Sequence, residues 1–316
     1  MSVVSVADQV VGLVWVIGSM LALVALSWMS NRVSTLAVLL KQHLPLLVST
    51  VLIPSLLFYN MLTANLQLVL NPVLLVAYFL PALLIVLLLC LFSASSVRAE
   101  RVLCSLYSNT LYVGVPVIIG VLGEKVIAYV LTIILFNTLL MFSIYTVLEN
   151  LRNQQFNIVG LLSGLLSSCK NPIVISLLSG LLLNLLLSPG QLLSAAAMQN
   201  WADAVFVLAL FTLGLSMQGI GSTQWFKLPV ELWIKLLLFP MVVLLTSEYL
   251  LALESQVTSV LVLLAASPLG VNAYFLLLAQ QKNTYAVGSL IFQSSVLSIA
   301  SLSVWVLLLS FLSPAG

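Results

Sequence analysis

Charge is what this sequence lacks most. Asp, Glu, Lys and Arg fill 6% of its 316 positions, against a hydrophobic share of 62% and a mean hydropathy of +1.25. That is too little charge to cover the surface of a water-soluble domain of this length, so the chain reads as a polytopic helical membrane protein. His43 is the only histidine, which removes zinc-protease motifs and most histidine-based proton relays. The three cysteines, Cys90, Cys104 and Cys169, lie far apart without a CxxC, so neither a zinc site nor a disulfide framework is indicated. GxSxG, Walker and GxGxxG patterns are absent from any suitable context. No enzymatic activity, metal, cofactor or nucleic-acid partner is therefore expected.

Apolar runs long enough for a bilayer crossing of roughly 20 residues fall near 9 to 29, 44 to 64, 72 to 94, 102 to 122, 126 to 148, 171 to 188, 203 to 221, 230 to 250, 256 to 280 and 284 to 312. The expectation is all-α and integral to the membrane, with ten spans in two groups of five: residues 1–150, a cytoplasmic connector 151–170, and residues 171–316. The first run has no basic segment ahead of it and reads as a retained helix. Placing both termini outside the cytoplasm puts Arg32, Lys41, Arg98, Arg101, Arg152, Lys170, Lys227, Lys235 and Lys282 on the inner side and only Lys125 on the outer side, as the positive-inside rule requires. An odd number of spans per half makes the halves inverted repeats. Glu231 and Lys235, at i and i+4, read as an interfacial pair at the start of the eighth span.

Two spans carry helix-breaking residues. Ser108-Asn109-Thr110-Leu111-Tyr112-Val113-Gly114-Val115-Pro116 interrupts the fourth, and Ser267-Pro268-Leu269-Gly270-Val271-Asn272 the ninth. Proline lacks an N–H and clashes with the carbonyl four residues back, and glycine tolerates an unwound turn. At an offset of 270 − 114 = 156, Gly114 falls on Gly270, Tyr129 on Tyr285, Phe136 on Phe292 and Asn137-Thr138 on Gln293-Ser294. Matching breaks in two halves point to a substrate site near the bilayer midplane. Asn109, Thr110, Gly114, Pro116, Ser267, Pro268, Gly270 and Asn272 are its candidate residues, with Asn137 and Gln293 behind them. Away from the Glu231/Lys235 end of the eighth span, the interior holds no Asp, Glu or His of the kind a proton relay or a carboxylate sodium site uses. Half-helix N-termini, each equivalent to roughly +0.5 charge, then supply the strongest fixed potential, which suits an anion.

The Asn109-Thr110-x-x-x-Gly114-x-Pro116 run, Asn171-Pro172, Leu213-Gly214-Leu215-Ser216 and the Ser267-Pro268-x-Gly270-x-Asn272 break resemble the auxin efflux carrier family, whose bacterial members include malonate and malate permeases. The resemblance implies a ten-helix inverted-repeat fold with broken fourth and ninth helices crossing at Pro116 and Pro268, and Asn109 in the substrate site. The long cytoplasmic loop of many plant members is missing, so the chain is closer to the short bacterial ones. Function and partners follow. The chain is expected to be a permease of small mono- or dicarboxylate anions in the plasma (bacterial inner) membrane, with the lipid bilayer around it and a homodimer as the one protein partner considered. A cation-coupled carboxylate symporter, a channel, and a sensor or structural subunit on the same fold are the alternatives.

Overall fold

A computed structural model describes residues 46–66, 71–94, 98–152, 172–187, 228–270, 272–279 and 285–312, with isolated positions at 43, 44 and between 200 and 211. The expected span 9 to 29, most of 203 to 221, and residues 153–170 of the connector lie outside these. The described residues are helical: α1 (Ile53–Thr63), α2 (Pro72–Phe92), α3 (Arg98–Leu106), α4 (Val115–Leu122), α5 (Ile127–Arg152), α6 (Pro172–Leu187), α7 (Val230–Leu250), α8 (Ser255–Ala266), α9 (Asn272–Ala279) and α10 (Tyr285–Leu312). Among them four stretches are long and apolar enough to cross a membrane by themselves: Pro72–Phe92, Ile127–Leu151, Val230–Leu250 and Ala286–Leu312. One succession occurs twice: a short helix, a break, a second short helix, then a long helix (α3, α4, α5; α8, α9, α10).

Proline is absorbed in these helices by widening the turn ahead of it. Single π-helical turns at Val48–Leu52, Thr110–Gly114 and Ile234–Leu238 precede Pro54, Pro116 and Pro240. The wider turn removes the clash between the proline ring and the preceding carbonyls. Pro240 also leaves the carbonyl of Leu236, four residues back, without its helical donor. Trp305 Nε1 of α10 donates to that oxygen at 2.9 Å, tying α10 to α7. Pro81 sits inside an unbroken α2.

α1 and α6 form a close pair. Lipid tails are as apolar as side chains, so helix association in a bilayer rests on contact and polar bonds more than on burial. Both are present here. Gly180 brings α6 so near that a Cβ there would lie 2.7 Å from Phe58 O. One turn on, Asn184 Nδ2 donates to Met61 O and Ala64 O, both at 2.9 Å, at the C-terminal end of α1. α2, α4, α5, α7 and α10 pack around α8, whose residues from Val260 to Ala266 are buried.

Candidate functional site

The breaks lie against each other. Ser108 and Leu269 form an antiparallel bridge, in which Asn109 N donates to Pro268 O at 2.7 Å and Gly270 N to Tyr107 O at 3.0 Å. An opened backbone in hydrocarbon must satisfy its own polar groups, and here each break satisfies the other. Leu269 N donates to Ser294 Oγ at 3.1 Å, and Asn109 O accepts from Gly114 N at 3.1 Å as the chain re-enters a helix.

The opened backbone of the first break lies at the N-terminal end of the expected Ser108–Pro116 stretch, not at Gly114 and Pro116. Non-helical backbone occupies Tyr107 to Asn109, while Gly114 closes the π turn and Pro116 sits in the first turn of α4. Of the two prolines that the resemblance puts at the crossing, Pro268 is there, its carbonyl accepting from Asn109 N beside the meeting of Ser108 and Leu269, while Pro116 stands two turns on. Gly114 faces Ser267, where an added Cβ would come 3.0 Å from Oγ, and Gly270 faces Tyr107 instead. The gapless offset of the halves is thus not the register of their contact.

At the bridge is a small pocket lined by Tyr107, Ser108, Asn109, Thr110, Leu111, Ile134, Thr138, Ile173, Gly270 and Asn272. As it stands it has room for about one water molecule. Four of the expected residues, Asn109, Thr110, Gly270 and Asn272, line it. Asn272 Nδ2 donates to Tyr107 Oη across the crossing at 3.3 Å. Pro268 belongs to the bridge and Ser267 caps the end of α8, its Oγ donating to Leu263 O at 2.9 Å, and neither lines the pocket. Asn137 and Gln293 are buried on α5 and α10, each one residue before a member of the site, Thr138 in the pocket wall and Ser294 under the bridge. Ile173, directly after the Asn171-Pro172 motif, brings α6 to the pocket and was not among the expected site residues.

A family model for a membrane transport protein, that of the auxin efflux carriers, matches residues 16–306. The chain belongs to the auxin efflux carrier family. No curated protein matches it significantly. It is a multi-pass membrane transport protein, and the remaining geometry is that of a transporter's interior.

Lys235 changes the chemistry of that interior. The spacing that suggested a pair with Glu231 is overturned: Glu231 Oε1 instead accepts from Arg101 Nε of α3 at 2.7 Å, and Arg101 Nη1 reaches Ser93 Oγ at 3.3 Å. Residues at i and i+4 share a helix face, but the π turn from Ile234 rotates Lys235 away and into the protein. Lys235 is 1% exposed. Its Nζ donates to Ser108 Oγ at 2.7 Å and to Ala265 O at 2.5 Å, and lies 5.3 Å from the centroid of Phe239. Tyr78 completes the group, with its hydroxyl 3.2 Å from Ser108 Oγ and its ring edge-to-face on Phe239 at 5.3 Å.

The local electrostatics are therefore not those of neutral side chains and helix N-termini alone. Ala265 O belongs to the C-terminal end of α8, which carries roughly half a negative charge, so the ammonium is held where a dipole favours it. Lys235 was visible as an interruption: the ten residues after it, Leu236 to Leu245, are all apolar. A cation at that depth in a span is costly and marks function by default.

Proposed function

We propose that this transporter carries small organic acid anions across the plasma membrane by alternating access, binding them where the broken helices cross. One observation carries the reading: two breaks far apart in sequence bond to each other beside a pocket lined by their own hydroxyl and amide groups, with the lysine ammonium behind Ser108. Among the described residues no carboxylate pairs with that ammonium, and half a charge from the α8 terminus leaves a positive remainder. An anion is the solute that such a site favours.

The pocket's present size makes this a closed form. A carboxylic acid needs several times the room of one water, so the walls must part to admit it. Ile173 of the α1/α6 pair forms one wall, Ile134 and Thr138 of α5 a second, and the crossed helices the rest. A displacement of that pair against the crossed helices opens the pocket without breaking the bridge. We further infer an inverted ten-span repeat over residues 1–150 and 171–316, with both termini outside the cytoplasm; eight inner-side basic residues besides Lys235 support this orientation.

The test is uptake of radiolabelled malonate by purified protein in proteoliposomes, in competition with a panel of mono- and dicarboxylates. Uptake that saturates with concentration and is competed by other carboxylates is expected. Uptake rising linearly without saturation would make the protein a channel, and the absence of any carboxylate effect would remove the anion reading.

A further inference from the structure

We propose that Lys235 is the residue by which this site distinguishes a carboxylate from its uncharged analogue, acting on one carboxylate group through Ser108. The inference rests on the anion-transport reading above and deepens it by naming the charge sensor and the group that it senses.

Lys235 does not itself line the pocket, but Ser108 does. Ser108 Oγ accepts from the ammonium at 2.7 Å, which commits one of its lone pairs and polarises its O–H. The hydroxyl proton can then point to Tyr78 Oη, 3.2 Å away, or into the pocket. A carboxylate there offers the stronger acceptor, because hydrogen bonds to ionised partners are about twice as strong as neutral ones. Tyr78 is the resting partner: it is fully buried, and its ring is fixed edge-to-face between Phe79 at 5.0 Å and Phe239 at 5.3 Å. The anion thus meets a polarised hydroxyl with the Lys235 ammonium directly behind it, in surroundings where charge is weakly screened.

A bland role competes with this one. Lys235 could serve only to cap α8 through Ala265 O, as basic side chains do at helix C-termini. The two roles differ in what they do to an uncharged ligand. A lost cap loosens the crossing and weakens every ligand alike, whereas a lost charge weakens acids and spares amides.

The experiment uses malonamate and malonamide, which share a heavy-atom skeleton and differ by one carboxylate. Dissociation constants are measured by thermal-shift titration of the purified full-length protein, native and as Lys235→Met and Lys235→Gln. Met keeps the volume of the lysine stem, and Gln keeps a donor for Ser108 and Ala265 while removing the charge. The native protein is expected to prefer malonamate by about ten- to hundredfold, the range for a hydrogen bond to a charged group. In both variants that preference should fall below about threefold, a collapse of one charge-assisted contact, with malonamide affinity kept in Lys235→Gln, which retains a donor for Ala265 O, and lowered together with that of malonamate in Lys235→Met, which loses the cap as well. Equal weakening of both probes would assign Lys235 to the cap alone and overturn the proposal. A preference retained in both variants would overturn it too while leaving anion transport standing. Malonamide binding the native protein as tightly as malonamate, or neither probe binding, would overturn the proposal together with the anion reading.

Discussion

Gly270→Ala tests the crossing at its tightest point. A Cβ added there would lie 2.5 Å from Tyr107 Cε1, 2.7 Å from Cδ1 and 3.1 Å from Ser108 O, where carbon atoms prefer about 3.5 to 4.0 Å. Backbone strain plays no part, because Gly123 is the only glycine with positive φ among the described residues. The Tyr107 ring has little room to retreat: it is 3% exposed, packs on Phe142 at 5.1 Å between centroids, and receives Asn272 Nδ2 on its hydroxyl. About 1 Å of movement must come from the bridge. Overpacking of this kind costs about 1–3 kcal/mol, and losing the bond from Gly270 N to Tyr107 O adds about 1 kcal/mol. The melting temperature of the purified variant should fall on the order of 5 °C, with a matching loss of transport per folded molecule. Gly114→Ala is the control. Its Cβ would meet Ser267 Oγ at 3.0 Å and Leu264 Cδ2 at 3.1 Å, side-chain ends that can turn aside, so its loss should be smaller, about 1 kcal/mol. A Gly270→Ala protein that melts with the native one, or an inverted ranking of the two variants, would refute the close antiparallel contact.

Asn184→Ala removes both bonds from α6 to the end of α1 and should lower stability by about 1–3 kcal/mol, read as an earlier melting transition with α2, α7 and α8 intact by hydrogen exchange. Glu231→Gln and Arg101→Gln should each cost at most about 1 kcal/mol, because the pair is partly solvated. A double-mutant cycle should find coupling between positions 101 and 231 and none between 231 and 235. Asn109→Ala should weaken carboxylate binding roughly three- to a hundredfold by loss of one side-chain hydrogen bond, and unchanged transport by a well-expressed variant would return Asn109 to a packing role.

The breaks were legible because glycine and proline act locally: Pro268 and Gly270 mark an opened backbone wherever they stand in an apolar run. The long helices α2, α5, α7 and α10 were legible because an apolar run of bilayer length leaves the backbone few alternatives. Contact register was less accessible. Matching Gly114 to Gly270 aligns the halves in sequence, but the π turn ahead of Pro116 keeps that segment helical and leaves the opened backbone at Tyr107 to Asn109. Lys235 was misassigned because Glu231 stands at the spacing of an ion pair, whereas the true partner of Glu231, Arg101, is 130 residues away. Helical spacing predicts neighbours on one helix only. The stronger signal was depth, a lone cation followed by an unbroken apolar run. Ile173 and Thr138 were missed as pocket walls because nothing local separates a pocket-facing apolar or hydroxyl residue from any other.

The most direct measurement of where the anion sits is substrate protection of a single cysteine. Thr138→Cys is made in a protein with Cys90, Cys104 and Cys169 replaced by serine, and its labelling by a membrane-permeant maleimide is timed with and without malonate. Thr138 lines the pocket but is buried, so labelling reports both opening and occupancy. Val304→Cys, 60% exposed on α10, serves as the control. A site at the crossing predicts that malonate slows labelling at position 138 with the concentration dependence of its own transport and leaves position 304 unchanged. Labelling at position 138 that proceeds at the same rate under saturating, actively transported malonate would place the substrate elsewhere.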